Sequence, residues 1–151
     1  MSVSTKLCNS FKRELLLGEH NFSSHTFRLA LIKANESGTY DEETDNFAAL
    51  GSDAHSTTGQ YSNAAGMALT NVAVSSLSDT DANDVAWIDF DDFSWTGTTI
   101  DASGALIYND SHASDAAVCV LSFSGTMSSD NGTFAITIPT GAYNTAIIRI
   151  A

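Results

Sequence analysis

Leu7, Cys8, Phe11 and Leu15 recur at the three-to-four-residue spacing of a helix, with Lys6, Lys12 and Arg13 on the other side. Ser4 before this stripe and Gly18 after it supply a start and a stop, so one capped amphipathic helix is predicted. The period then drops to two. Phe27, Leu29 and Leu31 alternate with Arg28, Ala30 and Ile32, which predicts a strand over residues 26–33. Residues 35–45 are acidic and aperiodic, a surface loop. One short helical turn fits residues 46–50, and residues 51–66 read as a second long loop.

From residue 67 onward, short apolar runs alternate with turn residues, and strands are predicted over 67–74, 85–90, 93–99, 105–108, 117–123, 134–138 and 145–150. Ser103-Gly104, Asp130-Asn131-Gly132 and Pro139-Thr-Gly141 are read as the turns between them, since Asn and Gly tolerate positive φ. The run from Ala117 to Phe123 is apolar on both faces for much of its length, which places it centrally in a sheet. The expected fold is all-β: an antiparallel β-sandwich, jelly-roll-like, of about eight strands with one N-terminal α-helix. A single domain over residues 1–151 accommodates it, with 1–18 as an N-terminal helix or arm and 24–151 as the sandwich.

Charge adds an asymmetry that the periodicity does not show. The chain of 151 residues carries a net −12, yet five of its six Lys and Arg fall within residues 1–33, a segment of net +3. The 16 acidic residues of the segment 34–148 face no Lys or Arg of their own, and Arg149 completes the basic set. So acidic a body argues against nucleic acid and against an anionic membrane surface as partners. The chain lacks an apolar run of membrane-spanning length, and residues 1–10 lack the apolar core of a secretory signal; synthesis in the cytoplasm is expected. Cys8 and Cys119 are read as buried free thiols.

Signatures of catalysis are missing: no G-x-S-x-G elbow, no phosphate loop, no G-x-G-x-x-G and no H-E-x-x-H. His20 and His25 are five apart but have no thiolates near them in sequence, so they are read as surface histidines rather than a zinc site. Asp79, Asp81, Asn83 and Asp84 open like a calcium loop, but Asp84 stands where the sharp-turn glycine belongs and Phe90 where the bidentate glutamate belongs. Asp91 and Asp92 are adjacent, and neighbours on a strand point to opposite faces, which disfavours a glycosidase pair. Trp87, Trp95, Tyr61, Tyr108 and Tyr143 are weighed as a sugar-stacking platform against the default of core packing. No cofactor and no metal are expected.

Several stretches resemble a family of virion proteins of tailed bacteriophages. They are Gly104-Ala-Leu-Ile-Tyr108-Asn109, Ala117-Val-Cys-Val-Leu121-Ser-Phe123, and Gly132-Thr-Phe134-Ala-Ile136 leading through Pro139 to Ala146-Ile-Ile-Arg149-Ile150. Phe11-Lys-Arg-Glu-Leu15 with Gly18, and Thr26-Phe-Arg-Leu29-Ala-Leu31, are similar to the family's first helix and strand. The resemblance implies a head decoration, or cement, protein: a homo-oligomer, typically a trimer, on the capsid exterior that binds the major capsid protein and bridges neighbouring subunits. The basic end of the chain is then expected to make the contacts, through Lys6, Leu7, Phe11, Lys12, Arg13 and Arg28. The alternative is a tail-associated adaptor or a receptor- or glycan-binding module; an enzyme acting on the host envelope ranks third.

Overall fold

A computed structural model describes residues 1–75 and 84–151, so most of the candidate calcium loop, Asp79, Asp81 and Asn83, lies outside the described residues. The fold is β-rich and mainly antiparallel. In chain order the elements are β1 (Ser2–Val3), β2 (Lys6–Leu7), α1 (Asn9–Leu16), β3 (Phe27–Lys33), β4 (Thr39–Tyr40), a 3-10 segment (Phe47–Asp53), β5 (Met67–Ala68), β6 (Ala73–Val74), β7 (Ala86–Asp89), β8 (Phe93–Asn109), β9 (Ala116–Ile136) and β10 (Ile148–Ile150). A five-stranded sheet runs β2-β9-β8-β3-β5, a three-stranded sheet runs β10-β7-β6, and β1 pairs with β4 in parallel. Among the described residues, no helix is long and apolar enough to cross a membrane.

The dominant element is a long hairpin of β8 and β9, joined by residues 110–115. Near that tip, Gly104–Asn109 and Ala116–Leu121 are buried on both faces, in keeping with the largely apolar run at 117–123, whose last two residues are half-buried. Successive residues point to opposite faces, so the two faces meet different neighbours. Asn109 meets His20, below α1, while Tyr108 stacks on Phe47 of the 3-10 segment with ring centroids 4.9 Å apart. Farther from the tip, Phe93, Trp95, Thr98 and Ile100 are buried and alternate with exposed residues. That half has one dry face only.

Two predicted turns are bulges inside these strands. At Asp130-Asn131-Gly132 the register steps from Thr98↔Gly132 to Ile100↔Ser129, so β9 carries one residue more than β8 and Asn131 takes φ 46°. Around Ser103-Gly104 it steps from Ala102↔Met127 to Gly104↔Ser122, and the surplus on β9 is absorbed with Ser124 at φ 58° and Gly125 at φ 152°. At Asn131 a positive φ serves a bulge as it would a turn, and cross-strand pairing decides between them, whereas Ser103 and Gly104 take no positive φ themselves. The predicted strands 93–99 and 105–108 therefore merge into β8, and 117–123 and 134–138 into β9, which ends at Ile136.

The first helix is also shorter than its stripe. Ser4 does not cap it; its N–H donates to the Tyr40 carbonyl at 2.9 Å, and Cys8 takes the capping position without a side-chain hydrogen bond. Lys6 and Leu7 form β2 against Val120 and Cys119, because the edge of β9 offers backbone partners that a one-turn helical extension could not replace. The predicted strand 67–74 is two short pieces in different sheets, broken where Asn71 takes φ 52°.

Cys8 and Cys119 are free and buried, as expected. Burial pushes the Cys8 thiol up to about 12 and raises that of Cys119 as well. Neither supplies a thiolate near neutral pH. We expect a disulfide-exchange reagent to leave both unmodified in the native protein and to modify both in guanidinium chloride; rapid native labelling would contradict their burial.

Candidate functional site

The sequence Leu15-Leu16-Leu17 places three leucines at the end of α1, more than one helix face can bury. Leu15 packs against the core, whereas Leu16 is 89% and Leu17 55% exposed. Beside them the last strand leaves Ile150 45% exposed. A groove runs between these elements, lined by Leu7, Phe11, Lys12, Leu15, Leu16, Arg149, Ile150 and the terminal Ala151. A more enclosed apolar cavity of about 130 Å³ adjoins it, sharing Phe11, Leu15 and Ile150 and extending to Phe22, Trp87 and Ile148. The surface is thus apolar at its floor and basic at its rim.

The residues predicted for contact divide by what they touch. Leu7, Phe11 and Lys12 line the groove, but Phe11 is 1% exposed and belongs to the core rather than to a contact surface. Lys12 is exposed, with Nζ donating to Asn9 Oδ1 at 3.1 Å, and Lys6 and Arg13 are exposed on β2 and α1. Arg28 stands apart. It lies on β3, pairs with Asp110 at 2.9 Å and donates from Nη1 to the Gly66 carbonyl, so its charge is already engaged. Leu16, Leu17, Arg149 and Ile150 were not anticipated from the sequence. The triple leucine was the legible signal for the first two; the placement of β10 beside α1 is tertiary and left none.

The sugar-platform reading fails on burial: Tyr61 and Tyr108 are fully buried, Trp95 is 5% exposed, and all three belong to the core. Tyr143 alone of the five aromatics is exposed, and Trp87 is half-buried against the apolar cavity. Asp91 and Asp92 face separate partners. Asp91 Oδ2 accepts from Thr70 Oγ1 at 2.9 Å and Asn71 Nδ2 at 2.6 Å, and Asp92 Oδ1 accepts from the Ile138 N–H at 2.7 Å. Each ties the stretch between β7 and β8 to a segment distant in sequence, Asp91 to residues 70–71 and Asp92 to Ile138.

A second polar cluster assembles where α1, the segment after it and the hairpin tip meet. His20 is not a surface residue; its side chain is fully buried, wedged between Phe11 and Phe27 with ring centroids 5.0 and 6.4 Å away. Asn109 fixes its tautomer. The Asn109 Oδ1 accepts from the Ser111 N–H, so Nδ2 donates to His20 Nδ1 at 3.1 Å and to His25 Nδ1 at 2.9 Å. His20 Nε2–H then donates to Glu14 Oε2 at 2.9 Å. Burial lowers the His20 pKa, so near neutral pH the ring is uncharged, although Glu14 pulls the other way. Next to it His112 Nε2 lies 3.2 Å from Glu19 Oε2. His112 stacks on His20 at 6.0 Å.

Comparison of the chain with family models, with curated proteins and with solved structures finds no match.

Proposed function

We propose that the chain is a structural subunit of a phage virion: a decoration protein that binds the outer surface of the assembled head through the face built by α1 and β10. The observation that carries the reading is that face. Its apolar floor is exposed at Leu16, Leu17 and Ile150, and Lys12 and Arg149 stand at its rim. In a chain of net −12, this is where Lys6, Lys12, Arg13 and Arg149, four of the six basic residues, belong to the elements around one groove. Such a surface suits an acidic, partly apolar segment of the major capsid protein, since opposite charge steers the encounter and apolar burial holds the complex.

On this reading the five- and three-stranded sheets are the two layers of a jelly-roll-like sandwich, and copies of the chain associate as a trimer bridging neighbouring capsid subunits. Binding to the assembled shell alone stabilises it by mass action. The remaining acidic surface keeps densely arrayed copies soluble. The body supplies stiffness and the groove supplies the contact.

The test is co-sedimentation of the purified chain with heads that lack it. Affinity should fall as salt rises from about 0.05 to about 0.5 M, because exposed charges are screened beyond roughly 8 Å at physiological ionic strength. Leu16→Asp should leave thermal stability within about 0.5 kcal/mol, as for an exposed position, yet weaken head binding at least about tenfold, or about 1.4 kcal/mol. Unchanged binding by Leu16→Asp, or binding to isolated tails in place of heads, would overturn the proposal.

A further inference from the structure

We infer that Glu14, Glu19 and His112 form a zinc site that clips the end of α1 to the tip of the long hairpin. One ligand atom from each of the three side chains lies within 4.8 Å of the other two. Metal–ligand bonds of about 2.0–2.2 Å would set tetrahedral ligands roughly 3.4 Å apart. His112 Nε2 and Glu19 Oε2, at 3.2 Å, already meet that spacing. Glu14 has only to close on them.

The surroundings are arranged for a cation. Two carboxylates converge with, among the described residues, no Lys or Arg in contact with either, so a divalent ion cancels a repulsion that the hydrogen bonds from His112 and His20 offset only in part. The outer partners orient the ligands, as around ligated zinc. His20 Nε2–H holds the Glu14 carboxylate, and buried Asn109 holds His20 in the tautomer that can do so. Ser114 Oγ, 3.0 Å from His112 Nδ1, can accept a hydrogen bond from Nδ1–H, which leaves the Nε2 lone pair free for metal; the Ser114 N–H at 3.3 Å supports the other tautomer in the metal-free state.

One imidazole and two carboxylates suit zinc better than magnesium or calcium, which prefer all-oxygen shells. Glu14 is 13%, His112 22% and Glu19 38% exposed, so the ion can enter from solvent and keep a water as its fourth ligand. Glu14 and Glu19 are brought by the helix end and its following segment, and His112 by a tip 93 residues farther on from Glu19. The ion therefore closes a long loop. It stabilises the folded state without itself being part of any catalysis, and it is independent of the head-binding proposal.

The experiment is calorimetric titration of the tag-free, chelator-treated full chain with zinc chloride, with magnesium chloride alongside, and thermal unfolding with and without zinc. One saturable zinc site, a thermal midpoint raised by zinc, and no comparable response to magnesium are expected. His112→Gln and Glu19→Gln should each weaken zinc binding by at least about 100-fold, more than loss of an outer partner costs, while their zinc-free midpoints stay near that of the parent. His20→Gln keeps an amide donor toward Glu14 and should bind within about tenfold of the parent, whereas His20→Ala should weaken binding by about 10–100-fold. Absence of a saturable zinc site, or variants His112→Gln and Glu19→Gln that bind zinc as the parent does, would overturn the inference.

Discussion

Tyr61→Ala is expected to lower the unfolding free energy by about 4 kcal/mol, within the range for deleting a buried aromatic ring, and so to remove a large part of a typical domain's stability. Tyr61 is fully buried, with its ring 5.1 Å from that of Trp95 in an edge-on arrangement. Its hydroxyl has a second duty. Among the described residues, the outer edge of β3 is paired by β5 only at Arg28 and Leu29, and by a single bridge from Ile32 to Ala54. Between those pairings the Leu31 N–H donates to the Tyr61 hydroxyl at 3.1 Å, and the Leu31 carbonyl accepts from the His55 N–H at 2.9 Å. A side chain thus completes a strand edge where no strand runs. Tyr61→Phe keeps the ring but orphans a buried N–H, which should cost about 1–3 kcal/mol. Urea unfolding of both variants separates the contributions, and a Phe variant as stable as the parent would show that the hydroxyl does not serve this edge.

The second large effect is expected at Asp53. This carboxylate, 6% exposed, accepts from the N–H groups of Ser37 and Gly38 at 2.8 and 2.9 Å and from the Tyr40 hydroxyl at 2.7 Å. It organises the acidic loop from the end of the 3-10 segment. Asp53→Ala leaves those donors unmatched and should cost about 3 kcal/mol, since hydrogen bonds to a charged acceptor are worth about 1.5–3 kcal/mol each and do not add. The Tyr40 hydroxyl and the backbone N–H groups hold the Asp53 pKa below the usual carboxylate range against the opposing effect of burial. A depressed carboxylate pKa means that the stabilisation is complete above about pH 3.9, the unfolded value, and is lost as pH falls through the folded one. The urea midpoints of parent and Asp53→Asn should therefore converge on acidification below that point. A gap that persists unchanged would assign the stabilisation to packing instead.

How much of this was legible in the sequence depended on whether neighbours in sequence or neighbours in space decided the outcome. The strand β3, the doubly buried run at 117–121 and the turn at Asn46, whose side chain accepts from the Ala49 N–H at 3.1 Å, follow from local pattern and were readable; the two-face alternation expected along β3 was not, since Leu29, Ala30, Leu31 and Ile32 are all buried. Asn131 carried a correct backbone preference with the wrong consequence, because a bulge and a hairpin turn draw on the same φ angles; Gly104 takes no positive φ and is small because a Cβ there would run into the Leu121 carbonyl. Ser4 lost its cap to a competing backbone partner, the Tyr40 carbonyl, that lies 36 residues away. At the candidate sites, the basic helix was visible and its excess leucine countable. The histidine cluster was not: His20 and His112 meet only because the hairpin tip folds back under α1, and a five-residue spacing between His20 and His25 said nothing of that.

The kinked outer margin of β9 has a consequence for association between copies of the chain. Among the described residues, β2 pairs with β9 only at Cys119 and Val120 and the Ser122 N–H donates to Thr5 Oγ1, which leaves the margin from Phe123 to Ile136 as a long row without a neighbouring strand. A flat row of that length would template another copy into a fibril. Ser124, Gly125 and Asn131 instead turn the backbone out of line at two points, which breaks the row into short stretches. The same irregularities that set bulges where turns were expected disfavour edge-to-edge pairing of one copy with the next.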